Sequence, residues 1–208
     1  MHCSCSCQHA RTLKKDAQSH PKYTYKSGDP NGIGKWYMGR EIAHVMGFQG
    51  IGWLERTERE EEENTSLLIK NMSISPSEVI ADIGAGSGYH ALRMASIARD
   101  GLVYAVDIQP EMLNAIEQKK VSEDINNIIT VKGDERSVNL EANSIDKVLM
   151  VDVYHEFNFP FEMVASIKKA LKPNGKIFLI EYKGEDGSIP IKTIHKMTLK
   201  QAVKEFEA

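Results

Sequence analysis

The stretch Glu78 to His90, EVIADIGAGSGYH, constrains the fold more than any other part of the chain. Val79, Ile80 and Ile83 make a short apolar run, Gly84, Gly86 and Gly88 follow at alternate positions, and an amphipathic stretch opens at Tyr89. That order is the signature of a buried parallel strand, a tight turn and a helix. Glycine at these positions permits positive φ and lets a ligand approach the backbone with no Cβ in the way. The free N–H groups at the start of the following helix favour an anionic group.

Spacing separates the two cofactor types that use such a turn. A dinucleotide turn, G-x-G-x-x-G, would place glycine or alanine at position 89, where this chain has Tyr89. The pattern present is D-x-G-x-G-x-G, beginning at Asp82. GLVYAVDIQP then makes a second strand ending at Asp107, 19 residues after Gly88. A carboxylate there can accept hydrogen bonds from two ribose hydroxyls, with Ile108 beside the adenine, which calls for an adenosine-containing cofactor without choosing which. Pro110 suits the first turn of the next helix.

NIITVK (127–132) and SIDKVLMVD (144–152) supply strands three and four, and Phe161 to Leu171 a helix. LKPNG stops that helix, and Lys176 to Tyr182 forms strand five. Ligands of such sheets lie beyond the carboxyl ends of the strands, near the switch in strand order. Asp152, Tyr154, His155, Glu156 and Phe157 therefore crowd beside the reacting atoms. His155 is the candidate general base, oriented by Glu156 or Asp152. Tyr154 can hold a cation by its ring face. The competing reading makes Asp152, His155 and Glu156 ligands of a divalent metal, but adjacent residues need a distant ligand to converge on one ion, and the sequence offers no evident one, so no metal is expected.

The glycine pattern at Asp82–Gly88, Asp107, the strand-four loop and the LKPNG strand together resemble the class I S-adenosylmethionine (SAM)-dependent methyltransferases over about residues 36–200, with the type 11 and ubiquinone/menaquinone C-methyltransferase-like group nearest. The resemblance implies a Rossmann-like three-layer α/β sandwich with a mainly parallel sheet, and SAM as cofactor. It implies that Asp82, Gly84, Ala85, Gly86, Gly88, Asp107, Ile108 and Asp152 hold that cofactor. It adds Asp134, in Gly133-Asp134-Glu135, as a contact to the adenine. The activity implied is methyl transfer to a small molecule. The alternatives are a nicotinamide oxidoreductase, disfavoured by Tyr89 and LKPNG, and a non-catalytic SAM-binding or metal-handling protein. Arsenic methylation needs thiols around the pocket, and this chain's three cysteines all lie in its first seven residues.

Ahead of the core, residues 1–32 are expected to be a tail and 33–208 the methyltransferase domain, divided into a helical lid (33–72) and a Rossmann-like core (73–208). KWYMGREIAHVMG has Trp36, Met38, Ile42 and Val45/Met46 at three- and four-residue steps, a short amphipathic helix closed by Gly47. WLERTEREEEENTSLLIKNM reads as a second helix whose glutamates form a solvated face. Tyr37, Arg40, Trp53 and Arg56 are the lid residues placed to touch cofactor or substrate. At the other end, IKTIHKMTLKQAVKEFEA reads as the fifth helix, with nothing β-rich after it. Strands six and seven of the class I sheet are therefore expected to be missing. The strand-five edge would then join a second copy in a homodimer or be covered by residues 183–208.

The 208 residues carry a formal net charge of −3, which gives no basic field for nucleic acid. No apolar run reaches the ~20 residues of a membrane span. Cys3, Cys5 and Cys7, with His2 and His9, have a spacing that could take a soft metal but lack the separated pairs of a zinc site. The tail has no apolar core of an intact export signal, though it could be the remnant of one. The cysteine-free remainder fits a cytoplasmic, reducing setting.

Overall fold

The computed structural model describes residues 22–208, so the cysteine-bearing tail lies outside the described residues. The chain opens with three antiparallel strands, β1 (Tyr23–Tyr25), β2 (Gly32–Tyr37) and β3 (Arg40–Ala43). The expected helix over 36–47 is therefore a hairpin. Met38 (φ 49°) and Gly39 (φ 100°) both take positive φ between Tyr37 and Arg40, which face each other in the ladder. A two-residue turn with positive φ at both positions matches the twist of the paired strands and closes a hairpin. Residues 23–32, expected in the tail, carry β1 and the first residue of β2, and Tyr23 packs against Tyr37 and edge-on against Phe159.

The expected second helix is present in three pieces: α1 (Ile51–Leu54), α2 (Arg59–Glu63) and α3 (Thr65–Met72). Asn64, in the left-handed region at φ 49°, ends α2 and caps α3 by accepting from the Leu67 N–H. Asparagine tolerates that conformation and supplies the capping oxygen, so one residue makes both the stop and the start.

The core then follows the expected alternation: β4 (Val79–Ile83), α4 (Tyr89–Ile97), β5 (Leu102–Asp107), α5 (Pro110–Ser122), β6 (Ile128–Lys132), β7 (Ile145–Val151), α6 (Pro160–Ala170) and β8 (Leu171–Ile180). The five strands are all parallel, in the order β6-β5-β4-β7-β8. Strand β8 begins at Leu171, earlier than Lys176, because Leu171 already pairs with Ile145 of β7; the register then shifts across 172–175, where Asn174 has φ 71°, before Lys176 pairs with Lys147. Successive residues of each strand face opposite layers. Ile80, Ala105 and Leu149 pack under α3 and α4, whereas Ala81, Val106, Val148 and Met150 pack under α6. Burying each of the larger side chains contributes about 1.5–3 kcal/mol.

After β8, β9 (Tyr182–Lys183) pairs in parallel with β10 (Lys196–Met197), and α7 (Leu199–Phe206) follows. The fifth helix thus starts eight residues later than expected, at the Thr198 cap. Among the described residues β8 is a sheet edge. The C-terminal segment lays Ala202 and Phe206 of α7 against the face that carries Ile177 and Leu179 and does not pair with that edge.

Candidate cofactor and acceptor site

One cavity of about 840 Å³ opens at the carboxyl ends of β4, β5, β6 and β7. Gly84, Gly86, Asp107, Ile108, Asp134 and Asp152 line it, so six of the nine expected cofactor residues meet there. Gly84 and Gly86 have φ of 71° and 53°. A Cβ on Gly84 would stand 2.4 Å from Val153 Cγ2. The Gly86 N–H donates to Asp107 Oδ2 (2.9 Å), and the Gln109 N–H donates to Asp107 Oδ1 (2.9 Å). Burial pushes the Asp107 carboxyl up, against the pull of these donors.

Three expected cofactor residues stay behind the cavity wall. Ala85 belongs to the core under α4, and Gly88 faces Leu92 and Ile116, where a side chain would clash. Asp82 lies inside β4 and is 2% exposed; burial pushes its pKa up to about 7, with Arg59 opposing. Asp82 positions the turn from beneath, since a strand residue two before the turn points into the sheet layer rather than past its end.

At the opposite wall the chain leaves β7 through Asp152, held at φ 52°, into a 3-10 turn over Tyr154–Glu156. Three residues per turn send consecutive side chains in different directions. His155 turns toward the cavity, while Tyr154 points into the core. The Tyr154 hydroxyl donates to Glu205 Oε2 (2.8 Å), its ring packs on Phe206, and it does not line the cavity. The expectation that Tyr154 holds the cofactor's cation is therefore corrected.

His155 is 1% exposed and both its ring nitrogens are engaged. Its Nδ1 is 2.7 Å from Glu181 Oε2 and its Nε2 is 3.1 Å from His195 Nδ1. A carboxylate accepts, so Nδ1 carries the proton and Nε2 presents a lone pair. Glu181 Oε1 also accepts from the Tyr154 N–H. Glu181 is thus the residue that orients His155, not Asp152 or Glu156, each of which stands 3.8 Å from a ring nitrogen. Burial pulls the His155 pKa down, but the Glu181 bond and the surrounding carboxylates outweigh it and the net direction is up. Burial lifts Glu156 to about 7 and Asp152 to about 6, with His155 opposing in both cases. Burial, with the charge of His155, pushes His195 down.

Of the four lid candidates, only Trp53 lines the cavity. Tyr37, the last residue of β2, is buried. Arg40 makes a two-point pair with Glu205 and donates to the His155 carbonyl (3.0 Å). Arg56 lies over the Trp53 ring, 3.8 Å from its centroid, and pairs with Glu62 and Glu63. Sequence reasoning missed Glu181, His195, Arg59, Glu63 and Gln109. Glu181 had a usable signal, because it follows the last residue of a sheet strand beside the switch point. Among the described residues two groups have spacing that suits a metal ion: His155, Glu156 and His195, and Asp152, His155 and Glu181, with the ligating atoms of each group within 4.8 Å of one another.

A parallel sheet in this order, with a glycine turn and an acidic residue ending its second strand, defines an α/β protein for an adenosine-containing cofactor. Residues 81–179 match the methyltransferase domain family. The chain is 26% identical over 119 residues to the ubiquinone/menaquinone biosynthesis C-methyltransferase UbiE of Wigglesworthia glossinidia brevipalpis, covering 56% of this chain and 48% of that protein. It is 26% identical over 140 residues to the uncharacterized methyltransferase YdaC of Bacillus subtilis, covering 67% and 75%. A solved SAM-dependent methyltransferase from Aquifex aeolicus superposes with a TM-score of 0.73 at 22% identity, covering 78% of this chain and 87% of that one. This chain shares its fold and its matched domain with the class I SAM-dependent methyltransferases, a class whose cofactor is SAM. It spans about half the length of the UbiE proteins it matches.

The residues present fit that cofactor. The cavity is within the ~300–1,000 Å³ range of small-molecule sites. The backbone at Gly84 and Gly86 faces it, the Asp107 carboxylate lies at its edge, and Asp152 Oδ1 is buried with no partner.

Proposed function

We propose that the protein transfers the methyl group of SAM to a small-molecule acceptor lodged against Glu156, His195 and Asp152. The observation that carries this reading is the single cavity that joins Gly84, Gly86 and Asp107 to the His155–His195 wall. SAM supplies a methyl group on a sulfonium, which the acceptor's lone pair takes as the carbon–sulfur bond breaks. Positive charge is lost in that displacement, so the protein's contribution is alignment and a dry surround. Asp107 would take the ribose hydroxyls and the unpartnered Asp152 Oδ1 the cofactor's ammonium. Val45, Met46, Trp53, Leu54 and Ile108 supply apolar wall, which suits an acceptor with an apolar body. His155 shapes the acceptor end and does not take a proton directly, since neither ring nitrogen is free.

The net charge of −3 and the size of the cavity, about 840 Å³, favour a small molecule over nucleic acid. No helix among the described residues is long and apolar enough to cross a membrane. The cysteine-free domain supports a cytoplasmic setting, and the edge of β8, unpaired among the described residues, supports a dimer joined through that strand. Calorimetric titration with SAM, S-adenosylhomocysteine and NADH tests the reading. The first two should bind and NADH should not; binding of NADH alone would reverse the assignment.

A further inference from the structure

We propose that His155 Nε2, His195 Nδ1 and Glu156 Oε1 bind one divalent cation of the zinc, iron and cobalt class, and that the methyl acceptor is a ligand of that ion. The second clause rests on the methyl-transfer reading of the cavity; the first does not.

Spacing is the first ground. The two imidazole nitrogens are 3.1 Å apart, and Glu156 Oε1 is 3.8 Å from His155 Nε2. Ligands at 2.0–2.1 Å from a four-coordinate ion stand roughly 3.4 Å from one another. The imidazoles are close to that separation, and Glu156 needs to close by a few tenths of an ångström. His195 is the distant ligand absent from the sequence reading: it comes from the segment between β9 and β10, forty residues beyond His155.

The surroundings match. Metal-bound histidine characteristically gives its other ring N–H to a carboxylate, which fixes the tautomer and ring orientation. Glu181 does this for His155 at 2.7 Å. That same contact leaves no room for an ion between its two atoms, so Asp152 and Glu181 are outer supports rather than a rival site.

Charge points the same way. Asp152, Glu156 and Glu181 surround one buried imidazole, and the nearby guanidinium groups are committed, Arg40 to Glu205 and Arg59 to Glu63. Carboxylates gathered in a largely buried place are costly unless a cation joins them. Two nitrogens and one carboxylate oxygen suit zinc, iron or cobalt better than magnesium or calcium, which prefer all-oxygen shells. Three protein ligands leave a coordination position open, and all three residues line the cavity.

The consequence is a class of acceptor: one bearing an ionisable O–H, N–H or S–H that coordinates the ion. Coordination lowers the pKa of that group, and its proton passes to water at the cavity mouth. The new bond to the methyl carbon then forms as the carbon–sulfur bond breaks, with its electron pair left on the thioether sulfur. No separate protein base is needed.

The test uses the full chain with Cys3→Ser, Cys5→Ser and Cys7→Ser, which removes the thiols of the tail. Zn²⁺ retained after dialysis is counted by elemental analysis, and Co²⁺ binding is followed by visible absorption. One equivalent per chain is expected, with cobalt bands of nitrogen and oxygen coordination. In the same background His195→Ala and Glu156→Gln should each weaken binding by roughly a hundredfold or more, and Glu181→Gln by roughly 10–100-fold, as for outer-shell carboxylates. Thermal melts establish that each variant is folded. No retained ion, or retention unchanged in folded His195→Ala, would overturn the site. A parallel SAM titration separates the two readings: SAM binding without metal sinks the ion and leaves methyl transfer standing, and metal binding without SAM does the reverse.

Discussion

Arg40 and Glu205, 165 residues apart, form a buried two-point ion pair in which Arg40 Nε and Nη2 each donate at 2.8 Å. The pair ties the β2–β3 hairpin to α7, and the same guanidinium donates to the His155 carbonyl. Arg40 therefore braces the acceptor wall from behind. Breaking a buried pair by removing one partner costs about 3–5 kcal/mol, because the remaining charge is stranded. Glu205→Ala also strips the Tyr154 hydroxyl of its acceptor. Urea unfolding should show Arg40→Ala and Glu205→Ala each destabilised by that order. Midpoints within experimental error of the parent would show the pair to be idle.

Asp107 is the test of the cofactor placement. Hydrogen bonds to a charged acceptor contribute ~1.5–3 kcal/mol each, so Asp107→Ala should weaken SAM binding by roughly tenfold or more. The same change removes the acceptor for the Gly86 and Gln109 N–H groups, so part of the loss will come from a slackened glycine turn. An unchanged dissociation constant would move the ribose elsewhere in the cavity.

Gly84→Ala combines two penalties that can be measured apart. A left-handed conformation costs an L-residue about 1–2 kcal/mol, and overpacking about 1–3 kcal/mol. The new methyl meets Val153 Cγ2 at 2.4 Å. The double variant with Val153→Ala should recover the packing part and keep the backbone part, giving a favourable coupling in a double-mutant cycle. Strictly additive effects would mean that the loop relaxes without feeling Val153.

The parallel core was legible because each of its strands is an apolar run ended by a turn, and period and punctuation suffice for such elements. The hairpin was not. Its turn is Met38-Gly39, and methionine at positive φ lacks the usual Asn-Gly signature, while Trp36, Met38 and Ile42 imitate a helical stripe. That Gly84, Gly86 and Asp107 would meet at one end of the cavity was legible for the same reason the strands were, since they occupy fixed places at strand ends. The acceptor half depends on which way a 3-10 turn aims His155 and Tyr154, and on a return loop that brings His195 forty residues back. Neither has a periodicity to read.

The last prediction concerns Asp82 and His90, two buried groups near Arg59 whose pH effects on stability run in opposite directions. Burial raises the folded Asp82 pKa to about 7, so the folded state holds a proton that the unfolded chain has lost. Asp82 therefore favours folding at low pH, and that contribution is lost as pH rises from about 3.8 to 7. Burial lowers His90 to about 3, so the unfolded chain binds a proton that the folded state refuses. Stability from His90 is full above about 6.5 and is lost as pH falls toward 3. Across the shared window the two slopes oppose, which hides both in the parent protein. Single substitutions separate them, each shift being worth on the order of a few kcal/mol at about 1.4 kcal/mol per unit. Relative to the parent, Asp82→Asn should fare better at pH 8 than at pH 5, and His90→Gln better at pH 5 than at pH 8, both read by urea unfolding. Differences from the parent that stay constant between pH 5 and 8 would mean that neither group is held away from its ordinary pKa.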